Sequence, residues 1–318
     1  EAVKIKYVTK AAGISNGWKK WQGEMEGLKK TDAFGKKQKY EAEYNRLLNS
    51  NAALKAKYGG VLEELNANVI KSNDYVKIRE YSLEILRTNI EMLRYYSKLD
   101  ALVNAFEKNG GEEMMKKADA VKSWGPGYFK NYERKIDEET FAALLQMYYN
   151  DVDKEYIFKG LESLAPNSDQ YTANVKALFD ASYLNSEEKL NELLIKKPED
   201  MANSIKSDPA YIFYKEMIDQ YNVKVAPNVT LYEGKVTSGM ERYMAAQMEV
   251  FKDRKFYPDA NSTLRVTYGK VNSYAPRDAV KYEFQTYLDG VMEKYIPGNY
   301  EFDLPPKLIE LYEKKDFG

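Results

Sequence analysis

Two short motifs place potentially reactive side chains at spacings that enzymes use. Ser186 and Lys189 have the Ser-x-x-Lys spacing of acyl enzymes in which a lysine deprotonates a serine. A serine followed by two glutamates is also typical of a helix N-cap, because the hydroxyl accepts a backbone N–H and the carboxylates lie at the positive end of the helix. We interpret Ser186 as an N-cap, with an independent Ser186/Lys189 hydrolase as the alternative.

The second motif pairs a tyrosine with a lysine one helical turn later. Tyr211 and Lys215 have the Tyr-x-x-x-Lys spacing of some nicotinamide reductases. Those enzymes also carry a glycine-rich phosphate loop inside a βαβ unit, and no Gly-x-Gly-x-x-Gly sequence occurs in this chain. We therefore attribute the pair to chance and predict no cofactor.

The composition removes most other catalytic chemistry. The 318 residues include 48 Lys+Arg and 49 Asp+Glu but no Cys and no His. Without His the chain lacks the commonest general base and the commonest transition-metal ligand, and without Cys it lacks thiolate nucleophiles and disulfides. A Ser-His-Asp triad cannot be completed within these residues. We predict no catalytic residue and no metal site in this chain.

Charge and hydropathy bear on the possible partners. The formal net charge of −1 gives no overall electrostatic footprint for nucleic acid. The mean hydropathy is −0.65, and no run of about 18 apolar residues suggests a membrane span. We expect neither nucleic acid nor a membrane as a partner. The first residues lack an initiator Met and a signal-peptide pattern, so we expect a piece of a larger protein.

The apolar period is helical through residue 252, which predicts an all-α domain over residues 1–252. Its clearest helix is predicted over residues 74–109, with a broad apolar face and a stop at Gly110. We predict a sharp helix break at residues 124–128, where two glycines flank a proline, and a loop or hinge at residues 222–238.

Helix starts are signalled by carboxylates. Asp208 precedes Pro209 and is predicted to cap the helix that follows. Asp137, followed by two glutamates, is predicted to open a helix that continues through Tyr149. The chain also contains 28 Tyr, which we assign mainly to the core, with a cleft for a polar ligand such as a peptide as the alternative.

Beyond residue 257 the apolar period changes to two, which predicts β-strands. Apolar side chains alternate with polar ones in two runs: Leu264, Val266 and Tyr268, then Val280, Tyr282 and Phe284. Two or three strands do not form an independently stable sheet. Residues 253–318 are therefore expected to complete a sheet elsewhere or to lie against the helices, and the fold class is mainly α with a short C-terminal β segment.

Three segments of the sequence carry a resemblance to known proteins. They are residues 3–30, VKIKYVTKAAGISNGWKKWQGEMEGLKK, residues 251–290, FKDRKFYPDANSTLRVTYGKVNSYAPRDAVKYEFQTYLDG, and residues 302–318, which begin FDLPP and end DFG. Together they resemble one protein family, the bacterial serine dipeptidyl-peptidases of the type 7 and type 11 group. The helical run between them has the expected length and character.

The resemblance implies a chymotrypsin-like double β-barrel that is interrupted by a helical domain capping the active site. Such enzymes remove dipeptides from free peptide N-termini. The catalytic His and Asp would precede this chain and the Ser would follow it, so residues 1–252 would be the helical cap and residues 253–318 part of the second barrel with a short terminal helix. The resemblance further implies a periplasmic, homodimeric parent protein whose barrel is the cap's partner.

One binding residue carries over from the family. Its helical domain uses an Asn to bind the substrate's terminal ammonium, and the Ser-Asn-x-Trp-Lys context places this residue at Asn16. By its residue types, Ser15-Asn16-Gly17-Trp18 is predicted to be a turn that opens a helix, in which case Asn16 would have a local structural role. The alternative to a peptidase cap is a self-standing helical scaffold or protein-binding module.

Overall fold

The computed structural model describes residues 1–299 and 301–317. The chain divides into two compact units, Glu1–Lys255 and Phe256–Gly318. The first contains the helices α1 Ala2–Lys30, α2 Ala33–Asn49, α3 Ala52–Tyr58, α4 Val61–Leu83, α5 Glu91–Asn109, α6 Gly111–Lys130, α7 Arg134–Asp151, α8 Lys159–Leu164, α9 Tyr171–Ala181, α10 Glu187–Leu194, α11 Pro198–Ser207, α12 Pro209–Gln220 and α13 Ala226–Val250. The second contains β1 Tyr274–Arg277, β2 Val280–Tyr282, α14 Asp289–Glu293 and α15 Pro306–Lys314. The prediction of a mainly α chain is confirmed.

The main core is built around α5. Leu93, Tyr96, Leu99 and Leu102 are fully buried there, in one cluster with side chains from α6, α7, α9, α10, α11 and α12. A second, smaller cluster lies between α2, α3, α4 and α13 and includes Tyr44. None of the helices in the described part of the chain is long and apolar enough to cross a bilayer.

The prediction of a single helix over residues 74–109 is wrong, because this segment contains parts of two helices, α4 and α5. α4 begins earlier, at Val61, and passes through the π-helical turn Glu84–Asn89. The fully buried Ile90 is then extended, with φ −96° and ψ 106°, before α5 starts. A tertiary contact causes this break, since the carboxylate of Asp137 accepts the N–H groups of Glu91 and Met92 and thereby caps a new helix.

Two helix ends follow their local signals. α5 stops at Gly110, whose positive φ of 83° is costly for any residue with a side chain. Asp208 caps α12, because its carboxylate accepts the N–H groups of Ala210 and Tyr211 at 2.8 and 3.2 Å. The helix α7, by contrast, begins at Arg134, so Asp137 does not open its own helix but caps α5 instead.

The predicted helix break at 124–128 and the predicted loop at 222–238 are also wrong. α6 continues to Lys130, and a Cβ atom at Gly125 would lie 3.4 Å from Leu190, so this glycine allows close packing with α10. Residues 221–225 form a π-helical turn that leads directly into α13. Pro227 lies in the first turn of α13, directly after this π-helical turn.

The second unit contains a two-stranded antiparallel hairpin, in which Tyr274 faces Tyr282. A strand at 280–282 is therefore confirmed, but the strand predicted around Val266 is wrong. Leu264, Val266 and Tyr268 are 95%, 85% and 93% exposed and belong to no regular element. An alternating pattern favours a strand only where a neighbouring strand pairs with it, and residues 262–268 have none within the described part of the chain.

We expect amides in residues 262–272 to exchange with deuterium about as fast as an unstructured peptide, because this segment has no backbone ladder to protect it. Hydrogen exchange measured by mass spectrometry on a dilute, monomeric sample tests this, with the buried helix α5 as the internal reference. Protection of Val266 and its neighbours at the level of α5 would contradict the expectation.

Candidate functional site

The helix α1 is held to the helical body by a polar cluster near its start. Lys6 Nζ donates hydrogen bonds to Glu91 Oε2 at 2.6 Å and to the Asn131 carbonyl at 2.9 Å. The Tyr7 hydroxyl donates to Glu91 Oε1 at 2.7 Å, and Lys10 Nζ donates to the Asn89 carbonyl at 2.8 Å. No residue of α1 is buried, so these polar contacts position the helix.

Asn16 lies inside α1, so the predicted turn at residues 15–18 is wrong. Asn16 lies nine positions after Tyr7, which is about 2.5 helical turns, so the two side chains lie on opposite sides of α1. Tyr7 contacts the helical body, and Asn16 is therefore on the side that is directed away from it, where it is exposed.

The surface around Asn16 is open. A Cβ atom placed on any of Gly13, Gly17 or Gly23 would meet no heavy atom within 4 Å. Asn and Gly are poor helix formers, each costing roughly 0.5–1 kcal/mol relative to Ala in a helix interior. Neither the glycines nor Asn16 therefore improves the stability of α1.

The charges near Asn16 are cationic. Lys19 and Lys20 follow it by three and four residues, which places them on neighbouring parts of the same helix surface. Lys20 Nζ lies 3.8 Å from Glu24 Oε1, and both side chains of this pair are largely exposed. An ammonium ion at Asn16 would therefore need an acidic neighbour in addition to the amide oxygen.

Asp137 lies behind the cluster that holds α1. Burial raises the pKa of its carboxyl to about 6, although hydrogen bonds from the backbone N–H groups of Met92 and Glu91 oppose the shift. The Tyr132 hydroxyl donates a further hydrogen bond to Asp137 at 3.1 Å. Sequence analysis missed this site, because its residues are 46 positions apart in the chain and no local motif joins them.

The pKa values of two polar groups of α1 are also shifted. Burial and the hydrogen bond to Glu91 raise the pKa of Tyr7, so this hydroxyl stays protonated and continues to donate. Burial lowers the pKa of Lys10. Glu91, which accepts hydrogen bonds from Lys6 and Tyr7, is only 5% exposed.

The two motifs with enzyme-like spacing have structural roles. Ser186 Oγ accepts the N–H of Lys189 at 3.3 Å, which confirms it as the N-cap of α10, while Lys189 Nζ donates to the Asp180 carbonyl at 3.3 Å. The Tyr211 hydroxyl donates to Asp100 at 2.8 Å. Within residues 1–299 and 301–317, no group of three or more Asp and Glu side chains is arranged to hold a metal ion.

Comparison with known proteins identifies the class of protein to which this helical fold belongs. The family model described as Peptidase S46 matches residues 1–318. Similar curated proteins are an Asp/Glu-specific dipeptidyl-peptidase of Flavobacterium psychrophilum, 36% identical over 318 residues, and a dipeptidyl-peptidase 7 of Phocaeicola vulgatus, 31% identical over 338 residues. Each alignment covers 100% of this chain and 44% of the relative.

Solved structures share the fold. Porphyromonas endodontalis DPP11 superposes with a TM-score of 0.59 at 25% identity, and its complex with the dipeptide Arg-Glu with 0.62 at 24% identity. Both comparisons cover 87% of this chain and 39% of the DPP11 chain. The chain belongs to the Peptidase S46 family, which confirms the resemblance to dipeptidyl-peptidases, and it spans less than half the length of the curated relatives that it matches.

Proposed function

We propose that this chain is the helical substrate-capping part of a serine dipeptidyl-peptidase that removes dipeptides from free peptide N-termini. The family match over residues 1–318 supports the class of enzyme. The chain has no His, so the catalytic triad would come from other parts of the longer protein. Residues 253–318 would then contribute to its second β-barrel, and the barrel would be the partner of the helical cap.

The position of Asn16 carries the proposal for a binding role. Asn16 is exposed in the middle of α1, on the side directed away from the helical body, and an asparagine there weakens the helix. Its amide oxygen can accept a hydrogen bond from the ammonium group of a peptide N-terminus. In the proposed enzyme, a cap that ended the cleft at this point would leave room for two residues before the scissile bond and would exclude longer N-terminal extensions.

The charge of the bound ammonium has to be balanced. Lys19 and Lys20 lie close to Asn16 on α1, and their positive charges disfavour a cation at this position. We therefore assign to the rest of the protein a carboxylate that faces Asn16 and pairs with the ammonium. The periplasmic location and the homodimer of the parent protein rest on the resemblance to the family alone.

A self-standing protein-binding module is the second candidate, and the exposed apolar side of α1 favours it. Ile14, Trp18, Trp21, Met25 and Leu28 recur at spacings of four and three residues and are each more than half exposed. In the peptidase, the remaining parts of the protein would cover this apolar stripe. In the second candidate, a separate protein would cover it.

Activity measurements separate the two candidates. The 318-residue chain should release no dipeptides from a panel of dipeptidyl reporter peptides, because it has no His to activate a serine. The same chain, expressed together with the flanking segments that its longer relatives possess, should release them. Release by the 318 residues alone, or none by the longer protein, would overturn the proposal.

A further inference from the structure

A surface cavity of about 320 Å³ lies between α5, α6 and the start of α1. Its lining includes Arg94 and Lys98 of α5, and Trp124, Tyr128 and Asn131 at the end of α6 and just beyond it. Lys6 and Glu91, which hold α1 to the helical body, form one edge. Along α1, Lys6 and Asn16 are about 15 Å apart, so the cavity is separate from the surface around Asn16.

The cavity carries an excess of positive charge. Glu91 is already engaged, since it accepts hydrogen bonds from Lys6 and Tyr7. Arg94 and Lys98 lie one helical turn apart on α5, and neither has a carboxylate within 4 Å in the described part of the chain. Two like charges at this spacing repel each other. A bound anion would relieve that repulsion, because Glu91 is the one carboxylate in the cavity lining among residues 1–299 and 301–317 and it is held by Lys6 and Tyr7.

The walls of the cavity are aromatic. Lys98 Nζ lies 3.5 Å from the centroid of the Trp124 ring, and Trp124 is 47% exposed. The Tyr128 ring forms a second aromatic wall and stacks on Tyr132, with 4.7 Å between the ring centroids.

We propose that this cavity binds a small organic carboxylate. The guanidinium of Arg94 and the ammonium of Lys98 provide charge-assisted hydrogen bonds to the carboxylate oxygens. The cavity is much larger than a carboxylate group alone, and Trp124 offers an apolar surface for the body of the ligand. Inorganic phosphate shares the anionic chemistry but has no apolar body to contact the ring, so we expect it to bind more weakly.

The test is a binding titration of the 318-residue chain. Phenylacetate, phenylacetamide and inorganic phosphate are compared by isothermal titration calorimetry at low ionic strength. In parallel, fluorescence is followed in a variant with Trp18→Phe and Trp21→Phe, in which Trp124 is the remaining tryptophan. We expect phenylacetate to bind at least tenfold more tightly than phosphate or the neutral amide, and to change the Trp124 emission as Lys98 moves toward the carboxylate.

Charge variants show where binding occurs. Arg94→Gln and Lys98→Gln should each weaken phenylacetate binding about fivefold or more, because each removes one of the two cations. Lys117→Gln removes one positive charge from an exposed position of α6 outside the cavity lining and should leave affinity unchanged. Circular dichroism checks that the variants remain folded. Equal binding of phenylacetate and phenylacetamide, phosphate binding as tight as phenylacetate, or equal losses in Lys98→Gln and Lys117→Gln would each overturn the proposal.

Discussion

Replacing Asn16 by alanine in the complete peptidase should lower kcat/KM for peptides with a free N-terminus by roughly tenfold or more. A hydrogen bond to a charged group contributes about 1.5–3 kcal/mol, and this contribution would be lost from transition-state binding. The loss should be much smaller for N-acetylated substrates, because these have no ammonium for Asn16 to bind. Steady-state kinetics on matched free and acetylated peptides provides the measurement.

The same variant distinguishes binding from a structural role. Asn16 lies within α1 and is exposed, and alanine is the better helix former by about 0.5 kcal/mol, so the melting temperature should stay the same or rise. Gln22→Ala is the matched control, because Gln22 is an exposed amide on a different side of α1 and should leave kcat/KM unchanged. Equal losses on free and acetylated peptides, together with a lower melting temperature, would contradict a binding role.

Replacing Asp137 by alanine should lower the free energy of unfolding by about 2–4 kcal/mol at pH 7. The change leaves the buried N–H groups of Glu91 and Met92 without their acceptor and removes the cap at the break between α4 and α5. Chemical denaturation followed by circular dichroism measures the effect. Glu139→Ala on the same helix removes a 70% exposed carboxylate and should change stability by less than about 0.5 kcal/mol. Similar losses in both variants would contradict the capping role.

Asp137 should also make stability depend on pH. Its folded-state pKa of about 6 lies above the ordinary value of 3.8, so the folded chain binds more protons than the unfolded chain between these values. The pH-linked part of the free energy of unfolding that comes from this carboxyl is therefore fully present below about pH 4, and it is lost as the pH rises through 6, a decrease of up to roughly 3 kcal/mol. Asp137→Asn should remove this dependence. An unchanged pH profile in Asp137→Asn would show that the carboxyl titrates normally.

Several features of the fold could be predicted because their causes are local. Gly110 ends α5 since only a residue without a side chain takes its backbone angles easily, and Asp208 and Ser186 cap the helices that start one residue later. In each case the relevant hydrogen bonds join residues within a few positions of one another. The strand at Val280 was predicted in the same way, from alternation within a few residues.

Other features depend on residues that are distant in sequence. Ile90 is followed by the strong helix formers Glu91 and Met92, and the helix breaks there because Asp137, 46 residues beyond Glu91, caps a new helix. The segment 221–238 contains Pro227 and a glycine, but it is helical because Val225 and Val229 are buried in the core, and Tyr221 and Val236 are partly buried against the main and the smaller cluster, respectively. Packing free energy summed over a long helix exceeds the cost of one or two poor helix formers.

The candidate site also combines features that the local sequence predicts with features that depend on distant residues. The sequence alone determined that the chain has no His and therefore no triad of its own, that it is mainly helical, and that Asn16 occupies a family context. Only the tertiary structure decided that residues 15–18 continue a helix and that Asn16 is directed away from the helical body. The reason is physical: the orientation of α1 depends on Lys6 and Tyr7 reaching Glu91, a contact between residues more than 80 positions apart that no local pattern encodes.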